Sequence, residues 1–244
     1  MNTPDRLATF FEELTRHGFD LGASGDPRCL PEDLQGALRS VFSDWGGGTP
    51  DTDFVLITGN TRALWRPLLD AAPSLPCEDP LDTYSERIHR AAAERWLPGA
   101  RLWFAHQLRP TLPFPRLAAA LGLCELGPAE LAVHPTYGPW FALRGLLLVP
   151  RGNLLHRELP ATGVSGTARP PSRCAGCSAP CVPAFRAALS ASRDEPTQRA
   201  RVTAHVDAWL AVRDACPVGR EYRYDTAQLR FHYGVGVLPR LGSR

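Results

Sequence analysis

Lysine is absent from this chain of 244 residues, so all 27 of its basic residues are arginine. The absence excludes a P-loop phosphate lysine, a Schiff-base lysine for pyridoxal phosphate, and a lysine that acts as general base or nucleophile. Methionine is found once, whereas alanine, arginine, leucine and proline are abundant. Such a composition is typical of codon bias, which explains the missing lysine without a functional cause.

The chain also lacks an excess of charge and a long apolar run. Its 27 basic residues nearly balance its 25 acidic ones, and the arginines are scattered, which argues against a nucleic-acid binder. Residues 1–19 include acids and lack the basic start and apolar run of a signal peptide. No stretch approaches the roughly 18 apolar residues that cross a bilayer. We therefore expect a soluble, cytoplasmic protein with no nucleic-acid or membrane partner.

Hydrophobic periodicity predicts strands that alternate with helices. An amphipathic helix is indicated by Leu7, Phe10, Phe11 and Leu14. The apolar runs at 54–57, 102–104 and 145–149 indicate strands, and Asp79 followed by proline indicates the start of a longer helix. Further helices are indicated at 199–213 and 226–233. The pattern predicts an α+β fold.

A change in composition divides the chain. Residues 156–173 are rich in proline, glycine, serine, threonine and arginine, which is typical of a linker or long loop. Residues 1–155 before it are predicted to form the α+β domain. Residues 174–244 after it are predicted to form a small, mostly helical module that contains a cluster of cysteines.

Four of the seven cysteines form the most specific pattern in the sequence. Cys174, Cys177 and Cys181 follow the spacing Cys-x2-Cys-x3-Cys, and Cys216 stands directly before a proline. In a reducing compartment such cysteines are typical metal ligands, because short turns direct successive sulfur atoms to one centre. The other three are isolated, so we expect small buried apolar side chains rather than ligands. They are Cys29, Cys77 and Cys124.

The cysteine set is open to three interpretations: an iron–sulfur cluster, a zinc ion, or no metal. Zinc ribbons usually pair two Cys-x2-Cys knuckles, whereas ferredoxin-type sites group three cysteines and take a fourth from a distant Cys-Pro. The spacing therefore favours one [4Fe-4S] cluster. A two-cluster ferredoxin would have another Cys-Pro where this chain has Phe-Arg, which removes only the second cluster. The favoured ligands are Cys174, Cys177, Cys181 and Cys216.

The run His-Pro-Thr-Tyr-Gly-Pro-Trp-Phe-Ala-Leu-Arg at 134–144 is the most distinctive feature before the cysteines. It is consistent with a turn leading into a buried aromatic strand, because one histidine without a nearby acid or serine forms no triad. It also resembles the His-Pro-Arg-Phe-Gly-Gly-Trp-Phe-Ala-Ile-Arg-Gly segment of the CblC (MMACHC) family of cobalamin-processing proteins. The segments that begin at Asp53 and Asp79 resemble the early strand and helix of that family.

The CblC resemblance implies a flavin-reductase-like, nitroreductase-related α+β fold, with a sheet flanked by helices, that binds cobalamin base-off. Family members remove the upper axial ligand by reductive decyanation or by transfer of an alkyl group to glutathione. Arg144 is implied as the catalytic residue, binding a carboxylate or positioning the thiol, which suits its bidentate fork. Ala132 and Leu143 are implied to present backbone groups to the corrin amides. The full implied cofactor-binding set is Ala132, His134, Tyr137, Trp140, Leu143 and Arg144.

The segment 216–224 resembles ferredoxin-like modules that accompany corrinoid-dependent reductases. A corrin-binding domain at 1–155 combined with an iron–sulfur module at 174–244 resembles epoxyqueuosine reductase and reductive dehalogenases. The hypothesis is a cobalamin-binding oxidoreductase whose [4Fe-4S] cluster supplies electrons to the corrin. Its partners would be a corrinoid, a thiol such as glutathione, and an electron-donor reductase or ferredoxin. The alternatives are a non-enzymatic electron-transfer or cobalamin-carrier protein and a zinc-stabilised interaction protein.

Overall fold

The computed structural model of the chain describes residues 5–42, 53–107, 109–150 and 172–239. These residues divide into two compact units. The sheet unit contains the described residues up to 123 together with 142–150, and the cysteine unit contains 124–141 together with 172–239. Most of the predicted linker at 156–173 lies outside the described residues.

Strands and helices are interspersed through the first two thirds of the chain. The strands are β1 (Leu21–Gly25), β2 (Asp53–Asn60), β3 (Arg101–Phe104), β4 (Glu125–Leu126), β5 (Ala132–Val133) and β6 (Ala142–Pro150). The helices of the sheet unit are α1 (Arg6–Arg16), α2 (Glu32–Val41), α3 (Trp65–Ala71), α4 (Pro80–Trp96) and α5 (Phe114–Ala120). Those of the cysteine unit are α6 (Cys181–Ala191), α7 (Gln198–Ala204), α8 (Val206–Asp214) and α9 (Thr226–His232).

The sheet unit is built on a four-stranded antiparallel sheet in the order β1-β2-β6-β3. In the two central strands, residues 54–57 and 146–149 are all fully buried. Because neighbouring residues of a strand point to opposite faces, these runs require both faces of the sheet to be covered. The predicted strands at these positions are confirmed, and the mixed fold with a sheet flanked by helices agrees with the α+β prediction.

Helices α1 and α4 form the main helical contact of the sheet unit. Helix α1 buries Leu7, Phe10 and Leu14, as its periodicity predicts, and Asp5 caps it by accepting from the backbone N–H groups of its first turn. Proline occupies the first position of α4, as predicted. A proline is favourable there because the first N–H of a helix has no partner within the helix.

The cysteine unit has a short β4–β5 hairpin and four helices among its described residues. Helices α6 and α8 pack around Ala188 and Val212, and Ala129 from the hairpin joins them. The predicted helix at 199–213 is divided at His205 into α7 and α8. No helix in the described ranges of either unit is both long enough and apolar enough to span a membrane.

Candidate metal and cofactor site

The four predicted metal-ligating cysteines come from two places in the cysteine unit. Cys174 and Cys177 lie in the turn before α6, where the Cys177 N–H donates to the Cys174 carbonyl oxygen at 3.2 Å. Cys181 is the first residue of α6, and Cys216 follows α8. All four line a single cavity of about 70 Å³. The structure therefore places the four side chains around one space.

Part of the cavity wall comes from the β4–β5 hairpin, which precedes the cysteines in the sequence. Gly127, Ala129, Leu131 and Val133 line the cavity. A Cβ at Gly127 would lie 3.2 Å from the Cys174 Sγ, so glycine lets the hairpin backbone lie directly against this thiol. Ala129 also belongs to the core between α6 and α8. The same packing of the hairpin against α6 and α8 therefore stabilises the unit and positions the hairpin side of the cavity.

Burial dominates the electrostatics of two of the four thiols, Cys174 and Cys216. It is the main cause that raises the pKa of Cys174 to about 12, and Glu125, Cys216 and Cys181 raise it further. Burial also raises the pKa of Cys216, with Cys181 and Cys177 adding to the effect and a backbone hydrogen bond from Val218 opposing it. Cys174 and Cys216 are therefore neutral thiols at neutral pH until a positively charged group replaces their protons.

The chemistry of the donors suits metals that prefer sulfur. Thiolates are the ligands of structural zinc and of iron–sulfur clusters. Within the ranges that the structure describes, no three His, Cys, Asp or Glu side chains are grouped closely enough to hold a metal ion. The cavity is the feature that the four cysteines share.

Two glycines bring the segment 134–141 into main-chain contact with the loop after Cys216. Gly138 and Gly219 both have left-handed backbones, with φ of 55° and 69°. A Cβ at Gly138 would overlap the carbonyl oxygen of Val218, and a Cβ at Gly219 would overlap the backbone of Tyr137. Only glycine fits at either position, so the position of the loop after Cys216 depends on both residues.

His134 and Tyr137 form a tight turn beside this contact. The backbones of His134 and Gly138 exchange hydrogen bonds of 2.8 and 2.9 Å. The Nδ1 atom of His134 accepts from the backbone N–H groups of Thr136 and Tyr137 at 3.1 and 3.2 Å. Because it accepts, Nδ1 carries no proton, and the histidine has a structural role in the turn. The Tyr137 and Tyr222 rings pack edge to face, with their centres 4.7 Å apart.

Trp140 lies in a second core cluster of the cysteine unit. It is fully buried with Tyr224 and Leu229. The guanidinium of Arg213 lies 4.6 Å from the centre of its ring and also donates to the Pro139 carbonyl oxygen. The indole Nε1 has no hydrogen-bond partner among the described residues. These contacts are those of a core side chain, which was the alternative interpretation of the aromatic run.

The remaining residues of the implied corrin set occupy both units. Ala132 opens β5 in the cysteine unit, whereas Leu143 and Arg144 lie in β6 of the sheet unit. A β-bulge interrupts β6 at this point, because Thr58 pairs with Gly145 while Gly59 pairs with Leu143. Arg144 is therefore the extra residue of the bulge. Bulges redirect side chains and are frequent next to functional sites.

A buried asparagine holds the Arg144 side chain. The Arg144 Nε donates to the Asn60 Oδ1 at 2.7 Å, and the Asn60 amide donates to the Thr61 carbonyl oxygen at 2.8 Å. Asn60 is fully buried. Asp20 in turn accepts from the Thr61 backbone N–H at 2.8 Å and from its hydroxyl. Arg144 thus stands at the end of a polar chain that fixes its Nε.

A buried histidine lies on the neighbouring helix of the sheet unit. His89 in α4 donates from Nδ1 to the Ser85 carbonyl oxygen at 2.8 Å, and its Nε2 lies 2.9 Å from the Thr58 hydroxyl. Burial is the main cause that lowers the pKa of His89 to about 4, and Arg144 lowers it further. His89 is therefore neutral at neutral pH and links α4 to β2 at Thr58, opposite the bulge of β6.

Several features of the site are absent from the sequence-based prediction. Contacts with predicted site residues are made by Glu125, Asn60 and the pair Gly138–Gly219. The two glycines stand at the ends of distinctive sequence segments, His-Pro-Thr-Tyr-Gly and Cys-Pro-Val-Gly, whereas the sequence around Glu125 and Asn60 carries no such signal. Among the isolated cysteines, Cys124 is buried as expected. The expectation of burial is wrong for Cys29 and Cys77, which are exposed.

Comparisons with known proteins give a likeness of fold. The sequence matches no protein-family model and no curated protein. The structure resembles that of a C. elegans B12-trafficking protein CblC, described as a human MMACHC homologue, with a TM-score of 0.55 and 13% identity. The match covers 93% of this chain and 91% of that one.

Two structures of epoxyqueuosine reductase also match, each at 11% identity and a TM-score of 0.46. For the Bacillus subtilis enzyme the match covers 89% of this chain and 66% of the reductase. For the Streptococcus thermophilus enzyme the values are 90% and 67%. The likeness to the CblC structure, at a TM-score of 0.55, shows a CblC-like fold at distant sequence similarity.

Proposed function

We propose that this chain is a cobalamin-binding redox protein that reduces a corrin or removes its upper axial ligand, with electrons supplied through one [4Fe-4S] cluster. The observation that carries the proposal is the cavity lined by all four cysteines of the ferredoxin-like pattern. Such a cluster supplies one-electron transfer. A reductase or ferredoxin would be the source of those electrons, and a thiol such as glutathione would be a second substrate for alkyl transfer.

The size of the cavity favours a cluster over a single zinc ion. A water molecule needs roughly 10–15 Å³ of this kind of volume. The space between the cysteines measures about 70 Å³, so it accommodates several atoms. Its wall is mostly apolar, with Ala129, Leu131 and Val133 from the hairpin. An apolar wall limits the access of water, which is one of the factors that set the potential of a cluster.

Two independent observations support a corrin as the second reactant. The fold likeness extends over 93% of the chain and is to a protein described as B12-trafficking. The sequence at 134–145 resembles the most specific motif of the same family. The motif and the fold likeness thus point to one ligand class.

Arg144 is the residue that we assign to recognition of an anionic or amide group, on the corrin or on the thiol. The bulge takes Arg144 out of the regular pairing of β6, and Asn60 binds its Nε. The hydrogen bond to Asn60 gives the guanidinium a defined orientation, and the planar fork of arginine suits two-point binding of a carboxylate. Asn60 is the positioning residue for Arg144.

We also assign backbone groups of the cysteine unit to corrin binding. Ala132 would present a backbone group to the corrin, as Leu143 would from β6. His134 and Tyr137 shape the turn that contacts the loop after Cys216. Trp140 would act through the packing of this segment, because its ring is fully buried.

Anaerobic purification with iron, sulfide and zinc analysis tests the cluster. We expect a brown protein with about four iron and four sulfide per chain and broad absorption near 400 nm. The variant Cys181→Ser should lose the colour, and Cys77→Ser should keep it because Cys77 is exposed and lies outside the cavity. One zinc per chain without iron contradicts the cluster and favours the zinc-stabilised interaction protein.

Titration with hydroxocobalamin and cob(II)alamin tests the corrin. We expect a base-off spectral shift, and its absence at high micromolar corrin contradicts the proposal. Arg144→Ala should weaken binding or turnover at least tenfold without changing the cluster spectrum. Arg66→Ala is the matched control, because Arg66 is exposed and pairs along its own helix with Asp70. Corrin binding without any ligand removal or reduction identifies a non-enzymatic carrier.

A further inference from the structure

Glu125 is the acidic side chain that directly contacts a predicted cluster ligand. It is the first residue of β4, 49 residues before Cys174, the first of the four predicted ligands. Its Oε1 accepts from the backbone N–H of Cys174 at 3.0 Å. The Ser172 hydroxyl oxygen accepts from the same N–H and from that of Ala175, both at 3.2 Å. The turn that holds Cys174 is therefore fixed by one residue of its own segment and by one residue of the hairpin.

The Glu125 carboxylate acts on Cys174 in two ways. It accepts from the Cys174 N–H together with the Ser172 hydroxyl oxygen, which makes this N–H less available to a cluster sulfur, and it places a negative charge beside the thiol. Hydrogen bonds to sulfur and local charge are among the factors that set the potential of an iron–sulfur cluster. Both effects lower the reduction potential, because each disfavours the additional negative charge of the reduced cluster.

The surroundings determine how strongly this charge is felt. Ala129, Leu131 and Val133 make the wall near Glu125 apolar, and charges interact more strongly where water is excluded. The positive charges of two guanidinium groups counteract the effect of the carboxylate on the cluster. Arg173 lines the cavity, and the Arg220 Nε donates to the Cys216 carbonyl oxygen at 3.3 Å. Arg173 and Arg220 are both exposed, so solvent screens their charges more.

We propose that Glu125 is a positioning residue that lowers the reduction potential of the cluster by holding the Cys174 N–H and setting a negative charge beside that ligand. The consequence is a stronger one-electron donor. This inference rests on the proposed function, since it requires a cluster at the four cysteines. Cobalt in a corrin is difficult to reduce in its lower oxidation states, so a strongly reducing donor suits that acceptor.

An anaerobic redox titration of the cluster, followed by absorbance and electron paramagnetic resonance, tests the inference. In Glu125→Gln the side-chain oxygen can still accept from the Cys174 N–H, but the charge is removed. We expect the equilibrium constant for cluster reduction to rise about tenfold, which is about 59 mV for one electron. Iron content should stay at the wild-type level, because the hydrogen bond is kept.

Glu130→Gln is the matched control. Glu130 lies in the same hairpin and carries the same charge, but it is exposed, whereas Glu125 is half-buried and accepts from the Cys174 N–H. We expect a change of less than threefold in the same constant. An equal change in both variants, an unchanged potential in Glu125→Gln, or a Glu125→Gln protein that binds no iron overturns the role of Glu125. A wild-type protein that binds no cluster overturns the proposed function itself, so the two failures are distinguishable.

Discussion

The sheet unit and the cysteine unit are stabilised in different ways. In the sheet unit the central strands β2 and β6 bury two continuous apolar runs, 54–57 and 146–149, with helices packed around them. The described residues of the cysteine unit include two small apolar clusters, one around Ala188 and Val212 and one around Trp140 and Tyr224. Small cores give little stability, and bound metal often supplies the rest. We therefore expect the cysteine unit to depend on the proposed cluster and the sheet unit to be independent of it.

The largest effect is expected from loss of a cluster ligand. Cys216→Ser should remove the cluster and with it the cooperative structure of the cysteine unit, because the metal compensates the buried thiols. Hydrogen exchange measured by mass spectrometry should show lost protection in α8 and unchanged protection in β6. Cys77→Ser should leave both unchanged. Retained protection of α8 in the cluster-free variant would show that the cysteine unit has sufficient core of its own.

Gly138→Ala should also affect only the cysteine unit. The added Cβ overlaps the Val218 carbonyl oxygen, so the loop after Cys216 must move. We expect iron content to fall by more than half. Gly234→Ala is the control, because Gly234 lies in the same unit but outside the cysteine turn, has a φ of 72°, and a Cβ there would come no closer than 3.3 Å to its nearest neighbour, the Thr203 hydroxyl oxygen. This control introduces the backbone strain without the clash, so equal iron loss in both variants would attribute the effect to strain alone.

Leu147→Ala should affect the other unit. Leu147 is fully buried and pairs with Leu56 on one side and with Leu102 on the other. Truncation of such a side chain costs about 2–5 kcal/mol of unfolding free energy. Urea denaturation should show this loss in the sheet unit, while the cluster absorbance per chain stays constant in the absence of urea. A parallel loss of cluster would contradict the independence of the units.

Acid should destabilise the sheet unit through His89. Its pKa of about 4 in the folded protein lies below the ordinary value of 6.5. The stability that neutral His89 confers is therefore complete above pH 6.5 and is lost as the pH falls toward 4, by at most about 3 kcal/mol. His89→Gln should flatten this dependence when urea unfolding of the sheet unit is measured at several pH values. An unchanged slope would contradict the role of His89.

The features that the sequence predicts are those with local signals. The runs at 54–57 and 146–149 are continuous and apolar, so their strands are predictable from the chain alone. The same holds for the start of α4 at its proline. The spacing of Cys174, Cys177 and Cys181 also places these residues in or next to one turn, whereas their binding of a metal stays a prediction.

The features that the sequence does not predict depend on contacts between distant segments. Gly127 and Glu125 lie against Cys174 only because the β4–β5 hairpin packs on α6 and α8. The bulge that redirects Arg144 depends on the register between β2 and β6. Neither register nor hairpin docking has a periodicity along the chain. The predicted domain limits 1–155 and 174–244 follow sequence order, whereas the compact cysteine unit includes 124–141.

Transfer of an electron from the cluster to a corrin tests the central claim most directly. The protein is reduced anaerobically with dithionite, freed of excess reductant and mixed with one equivalent of hydroxocobalamin, while the spectra of cluster and corrin are followed together. We predict that the cluster is reoxidised as an equal amount of cob(II)alamin forms, and that Cys181→Ser forms none. A cluster that stays reduced beside unchanged hydroxocobalamin would contradict the account.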